Sequence, residues 1–332
     1  MIITTKNKSQ RISQEQANWI KNKYSQIKKF DYKKSQPVYF KAQDDDGEKE
    51  HHDLVLKKML EVPFYMWLTR FMQNSSDDVF NQYAETGILG TFQNSRQKLQ
   101  RALNKHHKRV SKKFDNRIRS QNRLVRGQAQ QINGYLDDSL DRIALYESND
   151  VSGRILDTSD KHAVSFINSA ILGGAVMLDD IAETAQSDFD SRIPGRSTTI
   201  SITETQKAAE GSKMEEIKAL QVHDAQFVDG ADVDDLIKIW LTMGDDLVRE
   251  WHVLADGQQV MSTEPFIVMG QSLMFPGDDS MGATIENIIN CRCVMETRFA
   301  NSSKNFIYSF AQNKMINAWK YDNGKKIFLK AA

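Results

Sequence analysis

Cysteine is scarce, with two in 332 residues, and this excludes a disulfide-rich secreted scaffold. Five prolines and 17 glycines exclude collagen-like and Pro/Gly-rich low-complexity chains. So few prolines also argue against a many-turned all-β protein and for long helices. No run approaches the about 20 apolar residues that span a bilayer. The nearest, 163–178, is uncharged but short and contains Asn168 and Gly173-Gly174. It reads as a buried helix, with a membrane-active segment as the alternative. No apolar stretch follows Met1, so no secretory leader is expected. A Walker loop, a dinucleotide glycine fingerprint, a His-Glu-x-x-His helix and a Gly-x-Ser-x-Gly elbow are all missing, so nothing marks the commonest enzyme classes.

What is present is a globular composition, 40% hydrophobic and 27% charged, on a chain long enough for about two domains. The 44 basic and 44 acidic residues cancel, but unevenly. Residues 1–150 hold 27 Lys/Arg against 18 Asp/Glu, and residues 151–332 hold 17 against 26. A neutral total therefore hides a basic first half.

Residues 1–50 form a polar N-terminal segment. Ile12, Trp19, Ile20, Tyr24 and Ile27 suggest a short helix there, and the acidic run 44–48 a loop. A helical region is expected over 51–190. Leu54–Met72 has the period of a wide buried helix face, with Pro63 kinking it or starting a second helix. From Phe92 to Val125, Leu99, Leu103, Val110, Phe114, Ile118 and Val125 give one narrow apolar stripe on a continuous helix, about 92–126. Residues 96–126 carry twelve Lys/Arg and one acid, Asp115. Three readings follow: a solvated helix packed on one side, contact with nucleic-acid phosphates, or docking on an acidic protein surface. The residues that would make such contacts are Lys105, Lys108, Arg109, Lys112, Lys113, Arg117 and Arg119. Further on, a break is expected at 148–153, a helix N-cap at 157–160, and a turn at Ile193-Pro194-Gly195-Arg196.

After Asp224 the character changes. Ile237–Leu241 and Ile288–Val294 read as strands. Asp256-Gly257 and Gly270 each mark a hairpin. The expected fold is α+β, mainly α: a long helical part, then a small α+β module with short antiparallel strands at 195–300, then a polar tail, 301–332.

The residues with chemical potential crowd into 240–293. Both cysteines stand there, one residue apart, so their side chains share a face on a strand. With His252 they form a candidate metal set, Asp256 being a possible fourth ligand. A Cys-His nucleophile pair is a second reading. Buried small thiols in a structural strand are the third and plainest. Arg249 and Arg292, among Asp246, Asp256 and Glu264, read as an ion-pair lattice that holds loops together rather than as an anion site.

The order of these residues carries a resemblance. Trp240, Thr242, Asp246, Arg249 and His252 come first, then Asp256-Gly257, Pro265-Phe266, Pro276-Gly277-Asp278, and Asn290-Cys291-Arg292-Cys293. This series resembles the C-terminal signature of the phage Mu F-like minor head proteins, the phage head morphogenesis family, over about 195–294. Thr199–Ala208 resembles the helix that often precedes it. The resemblance implies a non-catalytic minor head protein of a tailed phage or prophage, made in the bacterial cytoplasm and carried in the virion. It would dock at the portal vertex during procapsid assembly, with the portal protein, the major capsid or scaffolding protein and double-stranded DNA as partners, and no membrane. Some relatives carry a toxin or transferase domain beyond the signature, and the stretch from Cys293 to Ala332 is too short for one. Many also place a histidine just before Cys-Arg-Cys, where this chain has none. No cofactor is expected, zinc at His252, Cys291 and Cys293 being the one weighed. The alternative is a metal-dependent hydrolase or nuclease-like enzyme using those three residues. A plain DNA-binding protein, resting on the basic block alone, is the third.

Overall fold

The computed structural model describes residues 52–121, 124–125, 127–228, 230–243, 247–300, 306–309, 314–322 and 325–328. The expected helix over Ile12–Ile27, the acidic run 44–48, Asp246 and parts of the basic block and the tail lie outside these residues. The fold is α+β and mainly α. Among the described residues, no helix is long and apolar enough to cross a membrane.

Helix α1 (His52–Thr86) passes through Pro63 rather than ending there. Leu60, Phe64, Leu68, Phe71, Met72, Val79 and Phe80 are all buried. Their spacing keeps one face packed on both sides of Pro63, and that packing outweighs the lost backbone hydrogen bond. A 3-10 turn (Phe92–Ser95) leads into α2 (Arg96–Phe114). Leu99, Leu103, Val110 and Phe114 form the expected stripe.

The continuous basic helix over 92–126 is not formed. α2 stops at Phe114, and a short α3 (Arg117–Gln121) begins after it. The cause is a distant carboxylate. Buried Glu216 accepts from the Ile118 and Arg119 amides at 3.0 Å each. It thereby satisfies first-turn donors of a new helix.

Two long helices follow, α4 (Ala129–Leu172) and α5 (Leu178–Val222). Neither expected interruption of α4 occurs. Ser148, Ser152 and Gly153 are buried. A Cβ at Gly153 would lie 3.1 Å from Arg96 Nη2, so small residues here give α2 its close approach. The supposed N-cap at 157–160 caps a different element: Asp160 accepts from the Phe92 amide at 2.7 Å and from Thr91 Oγ1 at 2.9 Å. The turn expected at Pro194 is likewise helix. Ile193 and Ser197 are fully buried, and Arg196 donates to Ser159 Oγ and the Ile155 carbonyl on α4. The expected boundary between 190 and 195 therefore falls inside α5. The 163–178 stretch is only half buried, since Ala163, Ile167 and Ala170 face the core while Leu172, Val176 and Met177 are exposed.

The C-terminal module is built on β1 (Leu236–Leu241), buried at every position. Next come α6 (Glu250–Ala255), β2 (Gln259–Met261), β3 (Phe266–Val268), β4 (Gln271–Leu273), α7 (Ile285–Ile288) and β5 (Val294–Phe299). β1 is central in an antiparallel sheet of order β2-β1-β5, with Ile239 opposite Gln259 and Leu241 opposite Val294. The β3–β4 hairpin is as expected. Met269 and Gly270, at φ 52° and 73°, make the two-residue turn that such a hairpin favours. Asp256-Gly257 does not close a hairpin, because 250–255 is helix. The strand expected at 288–294 starts only at Val294. The tail adds β6 (Phe306–Ser309), β7 (Lys314–Asn317), β8 (Trp319–Asp322) and β9 (Lys325–Phe328), paired as two hairpins.

Two cores result. The distal one joins α1, α2, α4 and α5 through Leu68, Phe80, Leu103, Leu156, Phe189 and Ile193. The proximal one joins α3, α4 and α5 to the module through Ile118, Leu136, Leu220, Trp240, Phe266 and Met295.

Candidate functional site

His252 on α6 and both cysteines, in the irregular stretch between α7 and β5, meet in the proximal core. Each is about 1% exposed. His252 Nδ1 lies 3.4 Å from Cys293 Sγ and 3.8 Å from Cys291 Sγ, and the three donor atoms lie within 4.8 Å of one another. Asp256, weighed as a fourth ligand, is elsewhere: its carboxylate accepts from the Thr242 amide at 2.9 Å.

The tautomer of His252 can be read outward from a backbone donor. The Thr284 amide donates to Gln271 Oε1 at 2.8 Å. That oxygen also accepts from Asn287 Nδ2 at 2.8 Å, and Nδ2 donates again to the Val268 carbonyl at 3.3 Å. Asn287 Oδ1 is thus turned to His252 Nε2, 3.3 Å away, and accepts a hydrogen bond from its N–H. The other ring nitrogen, Nδ1, presents a lone pair to the two sulfurs. Hydrogen bonding with Cys293 holds the Cys291 thiol well below its ordinary range, against the opposing effect of burial. Burial pushes Cys293 well above that range.

This donor set fits a soft tetrahedral ion. With Zn–S of about 2.3 Å and Zn–N of about 2.0–2.1 Å, a tetrahedral site needs N···S separations of about 3.6 Å, between the two observed. A second partner holding the far nitrogen of a ligating histidine is the usual outer support of such sites. Three protein ligands leave one position open.

Behind Cys-Arg-Cys lies a buried charge network that the sequence did not reveal. Lys57 of α1 pairs with Glu210 of α5, and its ammonium also donates to Gln206 Oε1 at 2.7 Å and the Cys293 carbonyl at 3.3 Å. Gln206 Nε2 donates to the Cys293 and Pro276 carbonyls at 2.8 and 2.9 Å. Glu210 accepts from the Met295 amide at 2.9 Å. Lys213 pairs with Asp53 at 2.6 Å and Glu210 at 3.0 Å, and donates to the Met295 carbonyl at 3.0 Å. Arg117 closes the outer side on Asp53 at 2.7 Å. Burial alone would lower Lys213, but Asp53 and Glu210 outweigh it and hold the ammonium above its ordinary value. The bracing lattice therefore runs between α1, α5 and β5. Of the residues expected to form a lattice around Arg249 and Arg292, Asp246 lies outside the described residues; Arg249 donates to the Ile289 carbonyl, and Glu264 accepts from the Met261 amide at 3.3 Å. One signal was available: the alternating charges of Glu204–Lys218 surround the helix and leave no solvent-only face.

The other signature residues take structural places around this joint. Trp240 stands edge-on to His252 with centroids 5.4 Å apart. Gly257, at φ 79°, links Trp240 to Trp319 through its amide and carbonyl, at 2.8 and 3.0 Å. Trp319 Nε1 donates to the Asp256 carbonyl at 2.7 Å, tying the tail to the module. Pro265 leads into β3, and Phe266 is fully buried. Asp278 accepts from the Met274 and Ser280 amides at 2.8 and 2.9 Å, which fixes the Pro276-Gly277 turn. Asn290, at φ 52°, donates its amide to Thr203 Oγ1 at 3.1 Å. Arg292 is half-buried between the cysteines.

The basic block divides. Lys108 pairs with Asp141 at 2.9 Å, Arg117 with Asp53, and Arg119 with Glu216 at 3.0 Å. Arg117 and Arg119 are structural, against their expected partner role. Lys105, Arg109, Lys112 and Lys113 are exposed, with no acidic partner within ion-pair distance among the described residues. No protein-family model, curated protein or solved structure matches this chain.

Proposed function

We propose that the chain is a non-catalytic structural protein of phage-head type, which docks to portal and capsid subunits through its helices. Its C-terminal signature serves as the rigid joint. One observation carries this reading: the signature residues are spent on burial and bracing. The Cys-His cluster is sealed in the core, and Trp240, Gly257, Asp278 and Cys293 each hold a neighbouring element. The helical arm, by contrast, exposes charge and apolar surface. Co-expression with the portal and major capsid proteins of the same gene cluster tests it. Stoichiometric recovery of portal with the tagged chain is expected, and recovery of the chain alone refutes it.

The exposed stripe Lys105, Arg109, Lys112 and Lys113 faces double-stranded DNA or an acidic protein surface. If DNA, neutralising all four reduces the log–log salt slope of retention by about 0.9 for each phosphate that the stripe neutralises.

A metal-dependent hydrolase or nuclease-like enzyme is the second reading, favoured by the Nδ1 lone pair and the open fourth position. Zinc would be held by His252, Cys291 and Cys293 and would supply Lewis acidity there. Elemental analysis of purified protein separates the two, since a folded, metal-free chain removes the enzyme.

A further inference from the structure

Two exposed surfaces of the helical arm each carry apolar side chains beside charges, and the charges are of opposite sign. The first is the turn between α4 and α5. It closes with the Gly173 amide on the Ser169 carbonyl at 2.9 Å and the Ala175 amide on the Ala170 carbonyl at 3.2 Å. Gly174, at φ 98°, supplies the left-handed residue that ends α4. The turn leaves Leu172 89% exposed, Val176 85% and Met177 67%. Asp179 and Asp180 follow in the first turn of α5, with exposed Glu183 one turn on. Between Lys161 and Arg192 there is no Lys or Arg, against five acids. An apolar tip ringed by one sign of charge is unusual for a free surface.

The second surface is an open groove of about 670 Å³ between α1 and α2. Its floor includes Pro63, Phe64 and Trp67, and its rim Lys98, Arg101, Lys105 and Arg109. Trp67 stacks on Phe71 with centroids 5.1 Å apart, which fixes the floor. Between Glu85 and Asp115 there is no acid, so the α2 side of the rim carries basic charge only. Its size lies within the about 300–1,000 Å³ that seats a compact apolar group.

We infer that this groove receives the α4–α5 tip of a second copy of the chain. Leu172, Val176 and Met177 enter over Phe64 and Trp67, while Asp179, Asp180 and Glu183 meet Arg101, Lys105 and Arg109. The tip cannot fill its own groove. Asp160, which anchors Phe92 beside the groove, lies 12 residues from Leu172, about 18 Å along a stiff helix. Two different patches meet, so one contact leaves a tip and a groove free, and these close on each other in a reciprocal two-fold dimer or a ring, or continue into a filament. The patch is small, so association is weak in solution and strengthens where copies are held close together. This inference rests on the basic stripe facing a partner, and not on the head-assembly reading.

The test uses full-length chains with both surfaces altered separately. The tip variant is Leu172→Asp with Met177→Asp, and the groove variant is Arg101→Glu with Lys105→Glu. All four positions are exposed, so unchanged far-UV circular dichroism and melting are the check on folding. Sedimentation velocity over a concentration series is expected to show reversible self-association of the wild type, weakened at least tenfold in each variant. An equimolar mixture of the two variants has one intact tip and one intact groove, and is expected to form a 1:1 dimer that grows no further. A monomeric wild type, a variant that associates as the wild type does, or a mixture that stays monomeric overturns the inference. Loss of DNA retention in the groove variant with self-association unchanged also overturns it, and gives the groove to nucleic acid. None of these results bears on portal co-purification, so the two proposals fail separately.

Discussion

Replacing Glu210 by glutamine tests the buried joint with almost no change in shape. Glu210 is fully buried and receives Lys57, Lys213 and the Met295 amide. Lys213 keeps Asp53 at 2.6 Å after the change. Lys57, 1% exposed, keeps only neutral acceptors, Gln206 Oε1 and the Cys293 carbonyl. An uncompensated buried ammonium costs about 3–5 kcal/mol. The new amide group also sets a donor against donors, a cost of about 1–3 kcal/mol that is partly the same loss. Glu210→Gln is therefore expected to cost about 3–5 kcal/mol in urea unfolding. Lys57→Met alone leaves Glu210 with Lys213 and the Met295 amide, and costs about 2–3 kcal/mol on the same grounds. The double variant removes both charges and recovers about 1.5 kcal/mol or more of the sum. The Met295 amide reports locally, because its acceptor is Glu210 Oε2, and its hydrogen exchange should accelerate beyond the global loss of stability. A cost below about 1 kcal/mol for Glu210→Gln, or strict additivity in the cycle, would refute a dry and mutually dependent network.

Burial raises Asp190 to about 6, with the Asp77 carboxylate adding to the effect. Its contribution to stability is thus full below about pH 4 and lost as pH rises through about 6. Asp190→Asn should flatten that slope and stabilise the chain near pH ~7.5 by about 1 kcal/mol, a value reduced for partial exposure; a pH series of thermal melts in which wild type and variant run parallel would count against it. Gly277 has φ 93°, and an added Cβ would lie 3.1 Å from Gln206 Cγ, so Gly277→Ala should cost about 2–3 kcal/mol in denaturant unfolding. Gly270→Ala, equally left-handed but in open space, should cost only about 1 kcal/mol, and equal losses would deny the crowding at Gly277. Both thiols are sealed, so a thiol reagent should react at the rate of protein opening; rapid labelling of the native chain would mean that the cluster is accessible.

Much of the fold was legible where periodicity and burial agree. The stripe Leu99–Leu103–Val110–Phe114 and the Met269-Gly270 hairpin follow from local rules alone. The misreadings share one cause, which is that distant partners decided local structure. Pro63 and Pro194 look like breaks in sequence, yet packing of Phe64 and Ile193 carries the helices through. Ser148–Gly153 looks like a loop because small polar residues usually are, yet here they let helices approach. Conversely, nothing near residue 115 announces a break, because Glu216, about a hundred positions away, makes it. At the site, Cys291, Cys293 and His252 were legible as a set. Asn287 and Gln271 were not, since amides that fix a tautomer have no spacing rule. Lys57 and Glu210 were hidden for a related reason: a charge is read as exposed until its partner is known.

α5 belongs to both cores, and this gives the molecule a mechanical character. The helix has 45 residues, about 68 Å end to end, so a tilt of about 5° around its C-terminal end sweeps the far turn through about 6 Å. Lys207, paired with Asp279 at 2.7 Å, Glu210 and Lys213 clamp it on the module side, while Phe189 and Ile193 clamp it on the other. A push on Leu172 or Met177 is therefore delivered as torque on the contacts around Cys293. The same leverage runs in reverse: a sub-ångström adjustment at the braced end steers where the apolar turn points, with the arm acting as a rigid pointer.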